Sequence, residues 1–255
     1  MMQDRDRQSE PDGQRQLENA AGFRRRAGLY DPSFEHDSCG VGFIASLDNR
    51  PAHHLVGKAV QVLMNLEHRG AVGGDKATGD GAGLLLQMPH RFFAKEAEEL
   101  GVELPPAGEY GVGMLFLPTD AKLAGNCVEV IEQMVTDEGG SVLGWRDVPI
   151  DSRHLGEFSR RTQPVFRQVF IARQRIPEPE FERKLYVIRR RIENAISARK
   201  DGDYSQFYIP SFSSVSVVYK GMLTGTQLLT FYPDLQNPRF ACAFVIVHQR
   251  YSTNT

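Results

Sequence analysis

Apolar side chains recur at helical spacing in four stretches of the chain. In the first, Leu55, Val56 and Ala59 begin a stripe that continues with the same period to Leu66, and Gly70 stands where a glycine commonly ends a helix. Each stretch has one apolar face, which is typical of an amphipathic helix that packs on a core. The pattern predicts helices over residues 55–66, 92–100, 122–136 and 180–196.

Shorter runs of apolar, β-branched and aromatic residues predict strands. The first begins directly after Cys39, where Val41, Phe43 and Ala45 alternate with smaller residues. Strands and helices occur both in separate runs and in alternation, and the run after Ser213 favours antiparallel pairing, so we predict an α+β fold of layered sheets covered by helices. The predicted strands span residues 40–46, 84–87, 112–117, 141–145, 165–171, 215–219 and 241–247.

The two ends of the chain differ from this pattern. Residues 1–30 are rich in Gln, Arg, Asp and Glu without apolar periodicity, so we expect a mobile or loosely docked segment with no function of its own. At the other end, only seven residues follow a strongly apolar strand over 240–248. We expect that strand to be buried on both faces and the chain to be cut within a domain. Expressed alone, the chain is then expected to be poorly soluble, because an unpaired strand edge promotes aggregation.

Composition restricts the kind of protein this can be. The chain has 255 residues, of which 41% are hydrophobic, enough for one large domain or two small ones. The 30 Lys and Arg residues nearly balance the 32 Asp and Glu residues, so no nucleic-acid partner is expected. No apolar run reaches the roughly 20 residues that cross a bilayer, and residues 1–38 lack the apolar core of a secretory signal. We therefore expect no membrane association and, by elimination, a cytoplasmic protein.

The three cysteines are too few and too scattered for a disulfide framework, and no cysteine or histidine pair has the spacing of metal ligands. No metal site is therefore expected. Cys127 and Cys242 lie within apolar helix and strand patterns, so both are expected to be core residues.

Cys39 differs, because it lies between the polar leader and the first strand, in the sequence Asp-Ser-Cys-Gly-Val-Gly. A lone cysteine is more often a small buried residue than a nucleophile. Two features favour the nucleophile: the neighbouring glycines leave space for a substrate, and removal of residues 1–38 would make Cys39 the N-terminus. An α-amino group has a pKa of about 7.7–8.0 and can take the proton of the adjacent thiol.

Two further clusters carry polar groups. The first runs from Glu67-His68-Arg69-Gly70 to the glycine-rich stretch 79–83. It lacks the order of a phosphate-binding loop, and a plain turn between helix and strand explains it at least as well as a ligand site. The second surrounds Arg250 at the end of an apolar strand. An arginine there can bind a carboxylate through two parallel hydrogen bonds, although a surface salt bridge explains it equally well.

Taken together, three segments resemble the class II glutamine amidotransferase domain of glutamate synthase. They are residues 37–43 around Cys39, residues 66–84 with the His-Arg-Gly sequence and two aspartates, and residues 248–255 around Arg250. The resemblance extends from about Tyr30 to Thr255, and residues 164–171 and 218–223 between these segments are also typical of that enzyme.

The resemblance implies an Ntn-hydrolase fold, a four-layer sandwich of two antiparallel sheets between helical layers. It implies that residues 1–38 are a leader that is removed, and that residues 39–255 are the N-terminal part of the domain. Cys39 would then attack the side-chain amide of glutamine, release ammonia and form a thioester that water hydrolyses. Arg250 would hold the α-carboxylate of the substrate with Thr253 beside it, and Arg69 would support the pocket.

The same resemblance implies components that this chain does not carry. In the complete enzyme, ammonia passes to 2-oxoglutarate, and flavin mononucleotide (FMN) and an iron–sulfur cluster take part in the reduction. The expected partners are glutamine, the remaining domains of the large chain and an electron-donating small subunit. The family's Asn-Gly pair, which supplies the oxyanion hole, is absent from these residues, so we expect the chain alone to be inactive.

Two rival functions remain open from the sequence. A non-catalytic glutamine-binding or assembly module would keep Cys39 internal and use the Arg250 pocket only to sense the ligand. A phosphate-binding regulatory domain built on residues 79–83 is a weaker alternative, because that loop has no basic partner.

Overall fold

The computed structural model describes residues 40–70, 75 and 77–249, without the side chains of Arg69 and Glu178. The strands in these ranges are β1 (Gly40–Ala45), β2 (Ala82–Gln87), β3 (Tyr110–Leu117), β4 (Ser141–Asp147), β5 (Val165–Ala172), β6 (Tyr208–Ser213), β7 (Ser216–Gly221) and β8 (Phe244–Gln249). The helices are α1 (His54–Asn65), α2 (His90–Glu99), α3 (Ala121–Asp137), α4 (Glu157–Arg161), α5 (Glu178–Ser197) and α6 (Leu228–Phe231), with 3₁₀ turns at Glu67–Arg69 and Pro233–Gln236.

The strands form two four-stranded sheets. Their order is β1-β8-β2-β7 in the first sheet and β4-β5-β3-β6 in the second. Every neighbouring pair is antiparallel. The predicted α+β class is confirmed, and two antiparallel sheets packed with helices agree with the Ntn-hydrolase sandwich.

Two hydrophobic clusters hold these elements together. The larger cluster joins α1 and α2 to apolar side chains of both sheets, among them Leu84, Tyr219 and Phe170. The second lies between the opposite face of the second sheet, which includes Leu115, and the helices α3 and α5. β3 consequently has a core on each side and is buried along its whole length.

A buried polar network crosses the larger cluster. Arg146 on β4 donates to both oxygens of Asp234 at 2.8 Å, to Oε1 of Gln168 at 3.0 Å and to Glu96 at 2.6 Å, and Tyr219 on β7 donates to Asp234 at 2.7 Å. The side chains of Arg146 and Asp234 are 4% and 3% exposed. Burial is the largest single influence on Arg146 and opposes its charge, but Asp234, Tyr219 and Glu96 together outweigh burial and raise the pKa of that guanidinium. The network ties the first sheet to the second through side chains.

The predicted elements are all present, with bounds that differ by at most three residues. The start of α3 is fixed by Asp120, whose carboxylate accepts hydrogen bonds from the backbone N–H groups of Lys122 and Leu123. The sequence pattern missed β6, which contains Pro210 between polar residues, and it missed the short helices α4 and α6. Helices of four or five residues are too short to show a period.

The prediction for the last strand is wrong in two respects. β8 does not lie at an edge, because it pairs with β1 on one side and with β2 on the other. Its two faces also differ: Val245 and Val247 are buried, whereas Ile246 is 37% exposed. The exposed face continues onto β1, where Phe43 is 66% exposed. The poor solubility predicted from an unpaired edge therefore cannot be attributed to β8, which has a paired strand on each side.

Candidate functional site

Strand ends of the first sheet meet at one level and form what we call the strand-end row. Gly40 of β1 pairs with Gln249 of β8, which pairs on its other side with Ala82 of β2. In the chain, Gly40 directly follows Cys39 and Gln249 directly precedes Arg250. The strand register therefore places the residue after Cys39 beside the residue before Arg250.

The side chain of Gln249 fills the space between two turns beside this row, and it is 3% exposed. A methyl group placed on Gly70 would lie 2.5 Å from Nε2 of Gln249, and one placed on Gly225 would lie 3.2 Å from Oε1. Both turns thus contact the amide directly. The turn that follows Arg69 is packed against the residue that precedes Arg250.

The loop before β2 is held by hydrogen bonds of its own. Asp75 accepts the hydroxyl of Thr78 at 2.8 Å and the backbone N–H of Ala77 at 3.0 Å, and the Thr78 hydroxyl holds the pKa of Asp75 below its usual value. Gln227 donates from Nε2 to the carbonyl of Ala77 at 2.8 Å. Since this carboxylate is engaged within its own loop, the contacts support a packed turn and give no support to a phosphate-binding loop.

The structure describes only part of one of the four predicted site residues. Cys39, Arg250 and Thr253 lie outside the described residues. Of Arg69, the backbone alone is described, in the turn Glu67–Arg69 that follows α1. The roles expected for these four side chains therefore stay predictions.

The remaining cysteine and histidine candidates are explained by packing. His68 is exposed and its Nδ1 lies 3.1 Å from the carbonyl of Asn65, the last residue of α1. Cys127 and Cys242 are buried in the two hydrophobic clusters, as predicted. Burial raises the pKa of each thiol to about 11, so very little reactive thiolate is present at either position near neutral pH.

His248 lies on the other face of β8 from Gln249, because side chains alternate along a strand. It pairs with Val41 of β1 and Gly83 of β2. Burial, followed by the nearby charge of Lys220, lowers the pKa of His248 below its usual value. The imidazole is therefore largely neutral near pH 7 and adds little positive charge beside the strand-end row.

Two kinds of site are not found in the described part of the chain. Residues 40–70, 75 and 77–249 contain no group of three or more His, Cys, Asp or Glu side chains that could bind a metal ion. No helix within these ranges combines the length and apolar character needed to cross a bilayer.

Sequence reasoning missed the position of two glutamines in this region. The sequence assigns no role to Gln249, which lies in the segment 248–255 around Arg250, or to Gln227. Each contacts a turn far away in the chain: Gln249 meets Gly70, and Gln227 binds Ala77. No local sequence signal reports such contacts, since they depend on how distant segments of the chain pack together.

Comparison with known proteins gives a consistent result. The family model for class-II glutamine amidotransferases matches residues 39–255. The chain is 43% identical over 231 residues to the glutamate synthase [NADPH] large chain of Bacillus subtilis (strain 168), which covers 89% of this chain and 15% of that protein. It is 42% identical over 233 residues to the glutamate synthase [NADPH] large chain of Azospirillum brasilense, with 90% and 15% covered.

A plant protein shows the same similarity. The chain is 41% identical over 228 residues to ferredoxin-dependent glutamate synthase 2, chloroplastic, of Arabidopsis thaliana, which covers 89% of this chain and 14% of that protein. The chain thus spans about 15% of the length of the curated relatives it matches.

Proposed function

This chain belongs to the class-II glutamine amidotransferase family, and from that premise we propose that it is the glutamine-hydrolysing domain of a glutamate synthase large chain. The observation that carries the proposal is the family match, which begins at Cys39 and continues to Thr255. The relatives named above are all glutamate synthases.

In the proposed reaction, removal of residues 1–38 makes Cys39 the N-terminal residue. Its α-amino group, whose ordinary pKa is about 7.7–8.0, takes the proton of the thiol. The thiolate sulfur attacks the side-chain amide carbon of glutamine, the C–N bond breaks, and the proton leaves with the nitrogen as ammonia. Water then adds to the thioester carbon, releasing glutamate and restoring the thiol. The balance is glutamine and water to glutamate and ammonia.

The substrate-binding residues in this proposal are Arg250, Thr253 and Arg69. The guanidinium of Arg250 binds the α-carboxylate of glutamine, Thr253 adds a hydroxyl beside it, and Arg69 supports the pocket. Their support in the described structure is indirect: Gly70, which follows Arg69, contacts Gln249, which precedes Arg250.

We further propose that the ammonia is passed to 2-oxoglutarate by other domains of the large chain, in the cytoplasm, with electrons from a small subunit or another donor. Two of the three cysteines, Cys127 and Cys242, lie in separate buried clusters, so this chain does not bring together the three or four thiolates that hold an iron–sulfur cluster. The cluster does not fit here, and FMN and the cluster are assigned to other parts of the enzyme.

The 255 residues contain no Asn-Gly pair, which is the pair that the resemblance assigns to the oxyanion hole. Loss of one oxyanion donor lowers turnover by roughly 10²–10³-fold in enzymes of this general kind. The proposal therefore includes that these residues by themselves do not hydrolyse glutamine.

Covalent labelling tests the proposal against a non-catalytic glutamine-binding module. Intact glutamate synthase would be treated with a glutamine analogue that carries an electrophile, and the labelled residue located by mass spectrometry. We expect one label on Cys39, at the N-terminus of a chain that has lost residues 1–38. Cys127 and Cys242 serve as internal controls, because their raised pKa makes them unreactive. Reversible binding without a label, or activity with the leader retained, would refute the N-terminal nucleophile.

Replacing Arg250 with lysine is expected to raise the KM for glutamine by about ten- to a hundredfold. A compact ammonium cannot reproduce two parallel hydrogen bonds to a carboxylate, and a charge-assisted hydrogen bond contributes roughly 1.5–3 kcal/mol. Steady-state kinetics of the intact enzyme measure the change, with ammonia-dependent activity as the control. An unchanged KM would remove Arg250 from the pocket.

A further inference from the structure

A cavity of about 620 Å³ lies where α4 and α6 meet strands of both sheets. Its lining includes Phe116 of β3, Phe166 of β5 and Phe231 of α6. The ring of Phe166 packs edge-on against the other two, with centroids 4.8 and 5.5 Å apart, so the three rings form a fixed wall. Sites for small molecules are typically clefts of roughly 300–1,000 Å³ with mainly apolar walls and a few polar groups. This cavity therefore suits a ligand with an apolar body.

One charged side chain of the lining has no partner within the protein. Arg161, the last residue of α4, lines the cavity and makes no hydrogen bond or ion pair with the residues that the structure describes. Its neighbour Arg160, by contrast, donates to the carbonyl of Leu155 at 3.1 Å. An unpaired arginine is common on a protein surface, but this one lies beside an apolar cavity, where an ion pair is stronger than in water. Its planar guanidinium is suited to a carboxylate.

The other polar groups of the lining attract an anion less. The acidic side chain among them, Asp203, accepts the backbone N–H of Ser205 at 2.9 Å, which holds the pKa of Asp203 below its usual value. This carboxylate is therefore ionised near neutral pH and repels a second anion. Several neutral side chains of the lining already bind groups of the protein, among them Ser159, Gln163 and Gln206. Arg161 is thus the group of the lining that is best placed to hold a negative charge.

We propose that this cavity binds a small organic carboxylate with an apolar body. The carboxylate pairs with the guanidinium of Arg161, and the apolar body lies against the wall formed by Phe116, Phe166 and Phe231. None of these residues has a role in the proposed glutaminase reaction, so the site goes beyond that function. Glutamine itself is a poor ligand for the cavity, because its polar side chain would lose water against the aromatic wall without gaining equivalent hydrogen bonds.

The test measures binding of naphthoate to intact glutamate synthase by equilibrium dialysis, with neutral naphthamide as the matched ligand. Naphthoate is expected to bind about tenfold more tightly than the amide, the effect of one charge-assisted hydrogen bond. Arg161→Gln should abolish this preference, so that the two ligands bind alike. Saturating glutamine should not displace naphthoate. Because the assay needs no turnover, its outcome does not depend on whether the glutaminase function is correct.

Two further variants make the test specific to the cavity. Arg175→Gln removes the same charge from an exposed arginine outside the lining and should keep the preference for naphthoate. Thr162→Trp, at an exposed position of the lining, should weaken binding of both ligands by filling space, with an unchanged melting temperature. Equal affinity of the wild-type enzyme for the two ligands would overturn the proposal. So would an unchanged preference in Arg161→Gln, or displacement of naphthoate by glutamine.

Discussion

Replacing Cys39 with serine is expected to lower glutamine-dependent glutamate formation by roughly 10³-fold or more. A hydroxyl keeps its proton near neutral pH and is a far weaker nucleophile than a thiolate, so the first covalent step fails. Activity with ammonia in place of glutamine should survive, because that reaction does not use the thiol. The measurement is the ratio of the two activities in the intact enzyme.

The matched control for this variant is Cys242→Ala. Cys242 is buried, and burial raises its pKa to about 11, so it should contribute packing and no chemistry. The control is expected to keep the wild-type ratio of glutamine-dependent to ammonia-dependent activity even where it lowers stability. If Cys39→Ser lost both activities together, the cysteine would be structural and the proposed mechanism would be wrong.

Replacing Asp234 with alanine should destabilise the fold by roughly 3–5 kcal/mol, the cost of removing one partner from a buried ion pair. The change leaves the guanidinium of Arg146, which is 4% exposed, with only the partly buried Glu96 as a charged partner. It also removes the acceptor of the Tyr219 hydroxyl. Urea unfolding can be followed through Trp145, the only tryptophan of the chain, which lies next to Arg146 on β4.

A double-mutant cycle makes this prediction specific to the pair. Arg146→Met should be about as destabilising as Asp234→Ala, and the double variant should cost clearly less than the sum of the two. An additive double variant would show that the two side chains do not act as a unit. Arg153→Ala is the exposed control: Arg153 binds Asp151 at 2.6 Å but is 82% exposed, so its loss should hardly move the unfolding midpoint.

The sequence predicted the long elements well because their signal is local. The apolar stripe that begins at Leu55 in α1 and the apolar run of β3 can both be recognised from the spacing of apolar residues along the chain. The error at β8 has a physical cause. A run in which both faces are apolar predicts burial on both sides, but the face that carries Phe244 and Ile246 is partly open. Whether a strand face is buried depends on which other elements pack on it, and the sequence of the strand itself does not show this.

The glycines of β1 illustrate the same limit at the site. From the sequence, glycine beside Cys39 indicates room for a substrate. In the structure, the space at Gly42 belongs to neighbouring side chains, since a methyl group there would lie 2.5 Å from Val62 of α1 and 2.9 Å from Val247 of β8. The sequence shows that position 42 is a glycine but does not show which side chains pack against it. The packing of Gln249 between Gly70 and Gly225 was equally invisible, because it joins three distant segments.

The strand order of the two sheets has a consequence for the order of folding. All strands of the second sheet lie between Tyr110 and Ser213, so that sheet can form from a continuous part of the chain. In the first sheet, β1 is the first of the described strands, and among these strands it pairs with β8, which is the last. Closing so long a loop is slow and comes late in folding.

During synthesis, β1 therefore leaves the ribosome long before its partner exists. Pulsed hydrogen exchange during refolding should show the amides of β3 and β5 protected before those of β1, and simultaneous protection would contradict this order. The strand that immediately follows Cys39 is fixed only when β8 is complete. The glutaminase activity proposed above would therefore appear only after the first sheet has closed, late in folding.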